Sequence, residues 1–223
     1  MKKIISLILA LTLTLSFSLI FSSCGDDGDG ATDNTANGST IGTDPIYVEM
    51  MFAANENGEY GSIVLKLDPV SAPKTVENFV NLVNAGFYNG RKIFRSVQNT
   101  LIQGGCPNNN GTGNSVTKIP GEFSANGYEG NRISHTRGTI SMARVSNDYD
   151  SASCQFFIIV EDEGGVTFDG QYAAFGHVIR GMEVVDKIED DTYRYGKTGT
   201  GIIDMEKYMV VIEYARVLEN YAE

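Results

Sequence analysis

The chain has 223 residues, of which 42% are apolar and 10% aromatic, enough to bury the core of one domain of ordinary size. Its formal net charge is −11 at pH 7, with the acidic residues spread along the chain apart from a dense patch at residues 26–29. Because such a chain repels phosphate backbones, its charge argues against nucleic-acid binding.

The N-terminal residues have the pattern of a secretory signal peptide. Lys2 and Lys3 give a positive start, residues 4–21 form an apolar run without charge, and small residues follow before Cys24. A membrane-spanning helix is the alternative, but the run is at the short limit for spanning, contains Ser and Thr, and precedes a Gly/Asp tract instead of basic residues. The sequence therefore predicts a signal peptide over residues 1–23.

Residues 21–24 also resemble the lipobox of bacterial lipoproteins, with Phe21 in the position usually held by Leu. The resemblance implies that Cys24 becomes a lipidated first residue, whereas a plain signal peptide would leave it as a free thiol. Acyl chains contribute on the order of 0.8 kcal/mol per buried methylene and would tether the protein to a membrane. Residues 24–44 contain almost nothing apolar and are predicted to be a flexible tether. We therefore expect an exported protein, lipid-anchored in the bacterial cell envelope and facing the periplasm or the cell surface.

The remaining cysteines and the histidines show no metal-ligand spacing. Cys106 and Cys154 would lie in a compartment that permits disulfides, so a bond between them is open. We expect two free thiols, because the sequence alone does not show that their Cα atoms come close enough for a disulfide bond. His135 and His177 are isolated from the cysteines, and we expect structural roles for both. The sequence thus predicts no metal and no other cofactor.

The folded part begins with the pattern of a β-hairpin. An apolar run at residues 47–53 is followed by an Asn/Gly turn at residues 55–58 and by a second run at residues 61–67. One face of the second run carries Ile63, Leu65 and Leu67, and the other carries Ser62, Val64 and Lys66. This alternation is typical of a half-buried strand, and the intervening turn favours a hairpin.

Two helices are predicted farther along. Pro73 occupies a first helical position, Gly86 provides a stop, and a second, shorter helix is expected over residues 182–188. The apolar face of the first helix consists of Val76, Phe79, Val80 and Val83. Strand patterns dominate elsewhere, at residues 139–143, 156–160, 172–179 and 208–218. Short strands with Gly-rich turns indicate a closed or sandwiched antiparallel sheet, in a single domain over residues 45–223.

Short motifs recur between residues 94 and 176. They are Phe94-Arg95, Gln103-Gly104-Gly105, Gly111-Thr112-Gly113, Ser141-Met142-Ala143, Gln155-Phe156-Phe157, Phe168-Asp169-Gly170 and Phe175-Gly176. Together they provide a guanidinium, amides and aromatic rings, the components of an apolar cleft with a few aimed hydrogen bonds. In order and spacing they closely resemble the cyclophilin family of peptidyl-prolyl isomerases. The resemblance implies a mainly β fold, a closed eight-stranded antiparallel β-barrel with two capping helices.

The resemblance also implies a peptidyl-prolyl cis-trans isomerase that acts on proline-containing polypeptides and assists protein folding. Rotation about an X-Pro amide faces a barrier of roughly 18–20 kcal/mol, and only a group that binds the twisted amide better than the planar one lowers it. Arg95 matches the family's arginine, a fixed cation that can stabilise the lone pair gained by the twisted prolyl nitrogen. Gln103 matches the glutamine that orients this arginine and the substrate backbone.

Further positions of the resemblance form a predicted substrate-binding set. Phe157 matches the ring at the base of the proline pocket, while Ala143 and Arg144 fall where the substrate backbone is contacted. The full set is Phe94, Thr100, Leu101, Gly111, Ala143, Arg144, Gln155, Phe157, Phe168 and Tyr172.

Four of these residues depart from the family's pattern. Phe94 replaces a frequent histidine, Leu101 a methionine and Arg144 an asparagine, and Thr100 stands where a pocket phenylalanine is expected. The missing ring would reduce proline burial by on the order of 1–2 kcal/mol, so we expect catalysis to be weakened and not abolished. The alternative function is a catalytically weak peptide-binding module or chaperone of the same fold. Nothing in the sequence suggests an obligate dimer, and a monomer is expected.

Overall fold

The computed structural model describes residues 41–54, 58–115, 117–196, 201–203 and 208–222, all within one compact unit. The predicted signal peptide, Cys24, residues 24–40 of the predicted tether and residues 55–57 of the predicted turn lie outside the described residues. Within the described ranges, no helix is long and apolar enough to cross a bilayer.

Eight strands in the described part of the chain close into one antiparallel barrel. The order around the barrel is β1-β2-β7-β5-β6-β4-β3-β8, and β8 pairs back with β1. The fold class predicted from the resemblance is therefore confirmed. The strands are β1 (Ile46–Ala54), β2 (Gly58–Leu67), β3 (Lys92–Val97), β4 (Leu101–Gly104), β5 (Thr139–Met142), β6 (Phe156–Ile159), β7 (Ala174–Arg180) and β8 (Val210–Val217).

The predicted N-terminal hairpin is present, because β1 and β2 pair directly in antiparallel register. Ile63, Leu65 and Leu67 belong to the barrel core and are fully buried, as their alternation predicts. The same alternation places Val64 on a solvent-facing side, and this is wrong, since Val64 is also fully buried. Strand β2 is therefore covered on both faces at this point.

Both predicted helices are present, as α1 (Pro73–Asn84) and α3 (Met182–Asp191), and a single additional turn forms α2 (Asp162–Gly165). The apolar side of α1 packs on the core through Phe79, whose ring centroid lies 5.0 Å from those of Tyr88 and Phe175. The buried face of α1 consists of Thr75, Val76, Phe79, Val80 and Val83.

Strands β4 and β6 separate the barrel core from a second, smaller apolar cluster. Ile102 and Ile158 belong to the core, whereas their strand neighbours Leu101, Phe157 and Ile159 form the smaller cluster. Because successive side chains of a strand face opposite sides, the smaller cluster lies on the outer face of the barrel.

The N-terminus of α1 is capped from a distant part of the chain. Ala72, at the N-cap position, has no capping side chain. The buried carboxylate of Glu122 instead accepts hydrogen bonds from the backbone N–H groups of Lys74, at 2.9 Å, and Thr75, at 2.8 Å, and from the Thr75 hydroxyl at 2.7 Å. Helix N-termini carry unpaired N–H groups and a partial positive charge, so this carboxylate satisfies both and ties α1 to the loop before β5.

Replacing Glu122 with Gln should lower the free energy of unfolding by about 1.5–3 kcal/mol, the range for hydrogen bonds to charged groups. The Gln side chain would present an NH₂ donor where two backbone N–H groups need acceptors. Urea unfolding at pH 7 measures the effect, with Glu129→Gln as the same change at an exposed glutamate. Equal unfolding midpoints for the two variants would contradict the capping role.

Candidate active site

The strand register lines up the residues that the motifs single out. Arg95 of β3 lies opposite Gln103 of β4, and Gln103 lies opposite Phe157 of β6. Phe157 in turn lies opposite Ser141 of β5. Because directly opposed residues project from the same face of a sheet, these side chains form one row across four strands on the outer face of the barrel. The structure thus brings together the predicted catalytic pair and the predicted pocket ring.

A chain of hydrogen bonds holds the arginine in this row. Arg95 Nη1 donates to Gln103 Oε1 at 3.1 Å, and Gln103 Nε2 donates to Gln155 Oε1 at 3.1 Å. Gln155 Nε2 then donates to two backbone carbonyls, those of Gly111 at 3.1 Å and Gly113 at 2.8 Å. Each amide therefore has a fixed orientation, and the Gly111-Thr112-Gly113 loop is connected to the guanidinium through two glutamines.

A cavity of about 250 Å³ lies beside this chain of hydrogen bonds. Its lining includes Gln103, Gly111, Ala143, Arg144 and Gln155. All five are residues that the sequence predicts as catalytic or substrate-binding, so the motifs converge on one concave surface.

Phe94 lies beneath the glycine loop instead of on the surface of the cleft. Its side chain is only 1% exposed, and a Cβ added at Gly111, whose φ is +86°, would lie 3.3 Å from the ring. Strand β3 has a β-bulge between Ile93 and Arg95, so Phe94 lies at the irregular point of the strand, directly before the arginine. The structure therefore gives Phe94 a supporting position under the loop in place of the predicted contact with substrate.

Four residues with large apolar surfaces form a cluster around Phe157, which lies opposite Gln103 in the row that contains Arg95. The Phe157 ring lies 5.3 Å from the Phe168 ring and 5.5 Å from the Tyr172 ring, between centroids, and Leu101 packs in the same cluster. The Phe157 and Tyr172 rings meet edge to face, a favourable arrangement for aromatic pairs. Ala143 also packs against this cluster, so the predicted pocket residues form one surface.

Thr100 is half-buried at the turn between β3 and β4, next to this pocket. Its hydroxyl donates to the Gln98 carbonyl at 3.1 Å, and its carbonyl accepts from the Val160 N–H at 2.9 Å. A Cβ at Gly164 of α2 would lie 2.8 Å from the Thr100 Cα, so α2 packs closely on this turn. Thr100 thus shapes the turn but brings no ring to the pocket.

Val97 and His135 are members of the site that the motifs do not include. Val97 packs against the Leu101, Phe157 and Ile159 cluster, and it lies two residues after Arg95 in β3. Residues two apart in a strand share a face, so this spacing could have identified Val97. His135 stacks on Phe157 with a centroid distance of 6.0 Å, and no local sequence signal indicates that contact.

Both described cysteines are free and buried. Cys106 lies under the glycine loop, where its Sγ accepts a hydrogen bond from the Gly113 N–H at 3.3 Å. Burial acts to raise the pKa of Cys106, but backbone N–H groups, first among them that of Asn110, lower it below the ordinary thiol value. Burial raises the pKa of Cys154. The expectation of two free thiols is confirmed, and within the described ranges no cluster of His, Cys, Asp or Glu could hold a metal ion.

The family model for cyclophilin-type peptidyl-prolyl cis-trans isomerases matches residues 50–213, well over half of the chain. The chain belongs to this family. Peptidyl-prolyl cis-trans isomerase A of Dickeya dadantii is 44% identical over 131 residues, which span 57% of this chain and 66% of that relative. Peptidyl-prolyl cis-trans isomerase B of Escherichia coli is 37% identical over 166 residues, which span 72% of this chain and 96% of that relative.

A solved structure shares the fold of this cyclophilin-type chain. It is a cyclophilin-type peptidyl-prolyl cis-trans isomerase of Cryptosporidium parvum, crystallised in the presence of the dipeptide Ala-Pro. The two chains superpose with a TM-score of 0.62 at 23% sequence identity, over 77% of this chain and 99% of the other. At that identity the likeness supports the barrel architecture alone.

Arg144 stands where the resemblance to other cyclophilins leads one to expect asparagine. Its side chain forms a clamp, in that it contacts two aromatic rings from different segments, Tyr149 and Tyr172. Its guanidinium carbon lies 4.5 Å from the Tyr149 ring centroid and 4.6 Å from that of Tyr172. Its Nε donates to the Gln171 carbonyl at 3.0 Å, and Nη1 donates to the Ser146 carbonyl at 2.8 Å. The side chain thus joins the loop after β5 to the Tyr172 ring of the pocket.

Replacing Arg144 with Asn, the residue expected from the family pattern, should release this clamp. We expect faster hydrogen exchange of the amides in residues 145–151 and a loss of about 1 kcal/mol in the free energy of unfolding, since cation–π contacts at exposed sites contribute about 0.5–1 kcal/mol. Hydrogen-exchange mass spectrometry and urea unfolding measure the two effects. Arg132→Asn, at an exposed arginine, is the control, and the clamp is refuted if both variants exchange alike.

Proposed function

We propose that this cyclophilin-type isomerase lowers the X-Pro rotation barrier by aiming the Arg95 guanidinium at the prolyl nitrogen of the twisted amide. In the planar amide the nitrogen lone pair is delocalised into the carbonyl, and twisting localises it. A fixed cationic donor therefore binds the twisted state more strongly than either planar isomer, and only such a difference accelerates the reaction.

The observation that carries this proposal is the anchoring of Arg95 beside the aromatic pocket. Arginine stays charged, and its planar fork is held by Gln103, whose other end is held by Gln155. Phe157 lies opposite Gln103, in the row that contains Arg95. A proline ring bound on Phe157 would therefore lie within reach of the guanidinium. The geometry supports catalysis by orientation and electrostatics, with no bond made to the protein.

The substrates we propose are proline-containing segments of polypeptides. Phe157, Leu101, Phe168 and Tyr172 provide an apolar surface suited to a proline ring, with Phe157 at its base. The backbone that precedes the proline would lie along the cavity of about 250 Å³, whose lining includes Gly111 and Ala143.

We also propose that the enzyme works outside the cytoplasm as a lipid-anchored monomer that assists the folding of exported proteins. The support is the sequence of residues 1–24, with a signal-peptide pattern followed by Cys24, and the polar tether that would separate the anchor from the barrel.

Replacing Arg95 with Ala should lower kcat/KM by about 10²–10³-fold, with most of the loss in kcat, because the lost interaction forms mainly in the twisted state. A proline-switch peptide assay at several substrate concentrations measures both constants. Arg180→Ala removes an exposed guanidinium at the end of β7 and should leave them unchanged. Equal rates for the wild type and Arg95→Ala would defeat the assignment.

A binding module that grips proline without useful turnover is the second candidate, and the ring missing at Thr100 is the observation that favours it. The two candidates separate in NMR titrations with an unlabelled Ala-Pro peptide. An isomerase at substoichiometric concentration produces cis/trans exchange cross-peaks, whereas a binder shifts peptide resonances without them. Thr100→Phe should then raise the turnover of a weak enzyme but leave a pure binder inactive.

Replacing Cys24 with Ser should release the protein from the membrane fraction without changing its turnover of peptides. Acylation of Cys24 would supply the membrane affinity, and the predicted tether separates it in sequence from the barrel. Radiolabelled palmitate incorporation and membrane sedimentation in the native host measure the anchor. Lipidation at this residue would be excluded if the wild-type protein incorporated no palmitate, or if the Cys24→Ser variant still sedimented with membranes.

A further inference from the structure

A buried imidazole connects the parts of the aromatic pocket from behind. His135 is only 1% exposed. Its Nδ1 lies 2.9 Å from Asp169 Oδ1, and its Nε2 lies 3.0 Å from Ser141 Oγ. The backbone N–H of His135 donates to the same Asp169 oxygen at 2.6 Å. Both ring nitrogens are therefore engaged.

The hydrogen-bond partners fix the position of the ring proton. Since an ionised carboxylate only accepts hydrogen bonds, Nδ1 of His135 carries the proton that faces Asp169. Burial lowers the pKa of His135, although the neighbouring Asp169 acts in the opposite direction, so the imidazole is neutral at pH 7. Its Nε2 then accepts the hydroxyl proton of Ser141.

This Asp-His-Ser arrangement has the contacts of a nucleophilic triad but not the access that one needs. Ser141 is fully buried in β5, opposite Phe157, so its hydroxyl cannot reach the carbonyl carbon of a bound peptide. The network is thus suited to orienting side chains and not to hydrolysis.

The imidazole contacts two rings that line the pocket. It lies nearly parallel to the Phe157 ring, at an interplanar angle of 14°, and its centroid is 5.9 Å from that of Phe168. Asp169 is the residue after Phe168, so the Nδ1 hydrogen bond also holds the backbone that carries this ring. Ser141 anchors the other side of the imidazole to β5. One side chain therefore fixes the spacing between β5, whose Ser141 lies opposite Phe157 of β6, and the segment that bears Phe168.

We propose that His135 is a positioning residue for the proline pocket, which holds the Phe157 and Phe168 rings at the separation that receives the proline. This role rests on the proposed isomerase function of the same site. The hydrogen bonds to Asp169 and Ser141 act through the rings, so His135 itself does not touch the substrate.

The role predicts a particular division between KM and kcat. The pocket grips the proline ring in the cis, trans and twisted states alike, and an interaction that is equal in all states affects binding and leaves kcat unchanged. Loss of the imidazole should therefore raise KM, in contrast to loss of Arg95, which should lower kcat.

The main experiment compares His135→Gln with His177→Gln in the proline-switch assay. His177 of β7 is the matched control, since it is also partly buried, has a pKa lowered by burial, and makes a hydrogen-bond contact of 2.9 Å between its Nε2 and Thr139 Oγ1. None of the ring contacts described for Phe157, Phe168 and Tyr172 involves His177. We expect His135→Gln to raise KM by about tenfold with kcat within about twofold of the wild type, and His177→Gln to change neither. Near-UV circular dichroism and urea unfolding check that each variant is folded.

Asp169 provides a second, independent variant, because its side chain is 40% exposed and its truncation keeps the imidazole but removes the partner of its Nδ1. Asp169→Ala should raise KM like His135→Gln, and Asp169→Asn, which keeps an acceptor for the Nδ1 proton, should recover most of the wild-type KM. If His135→Gln does not fold, this pair decides the question. Wild-type KM in folded His135→Gln or Asp169→Ala, or a loss of kcat alone, overturns the positioning role.

Failure of the proposed function has a different signature. In that case Arg95→Ala turns over peptide like the wild type, and the pocket is then tested by the dissociation constant of an Ala-Pro peptide, measured by NMR titration. A weaker affinity in His135→Gln than in His177→Gln supports the positioning role even without catalysis, and equal affinities refute it.

Discussion

The hydrogen bond from Arg95 to Gln103 is the contact on which the proposed chemistry of the site depends. An unrestrained arginine side chain has about 2 kcal/mol of rotamer entropy. If that entropy were lost during the reaction, the cost would be subtracted from the stabilisation that the guanidinium gives to the twisted amide. Here Gln103 and Gln155 restrain the side chain when the protein folds, through hydrogen bonds that end on the glycine loop. The cation is therefore oriented before a peptide arrives, and in the proposed mechanism reorganisation would not offset its electrostatic effect.

The same strands form both the core and the site. In β4 and β6, Ile102 and Ile158 face the barrel interior, while Gln103 and Phe157 face outward in the row that contains Arg95. Dense packing inside keeps the strands in one register, and the register keeps the outward side chains opposed. Changes to core volume at Ile102 or Ile158 would thus reach the cleft without any contact with the substrate.

Sequence patterns predicted an antiparallel sheet and most of its strands, because a hairpin such as β1-β2 leaves a period-two signal and a helix such as α1 leaves an apolar face. The closure of the sheet into a barrel was predicted only from the family resemblance. Strands β3 and β4 gave no such signal, since they are short and mix polar with apolar residues, and only the resemblance singled out Arg95 and Gln103. Local patterns also could not show that Phe94 is covered by the glycine loop or that Arg144 is held by Tyr149 and Tyr172. Those positions depend on contacts between segments that are distant along the chain.

Barrel closure constrains how this protein can recognise a polypeptide. Every described strand already has a partner on each side, so an extended peptide finds no free edge along which to add another strand. In the proposed function, recognition comes from the apolar surface around Phe157 and a few main-chain contacts beside it, which would depend little on the flanking sequence. A surface of this kind suits an enzyme that meets many unrelated unfolded chains, for which the shared feature is one imino acid.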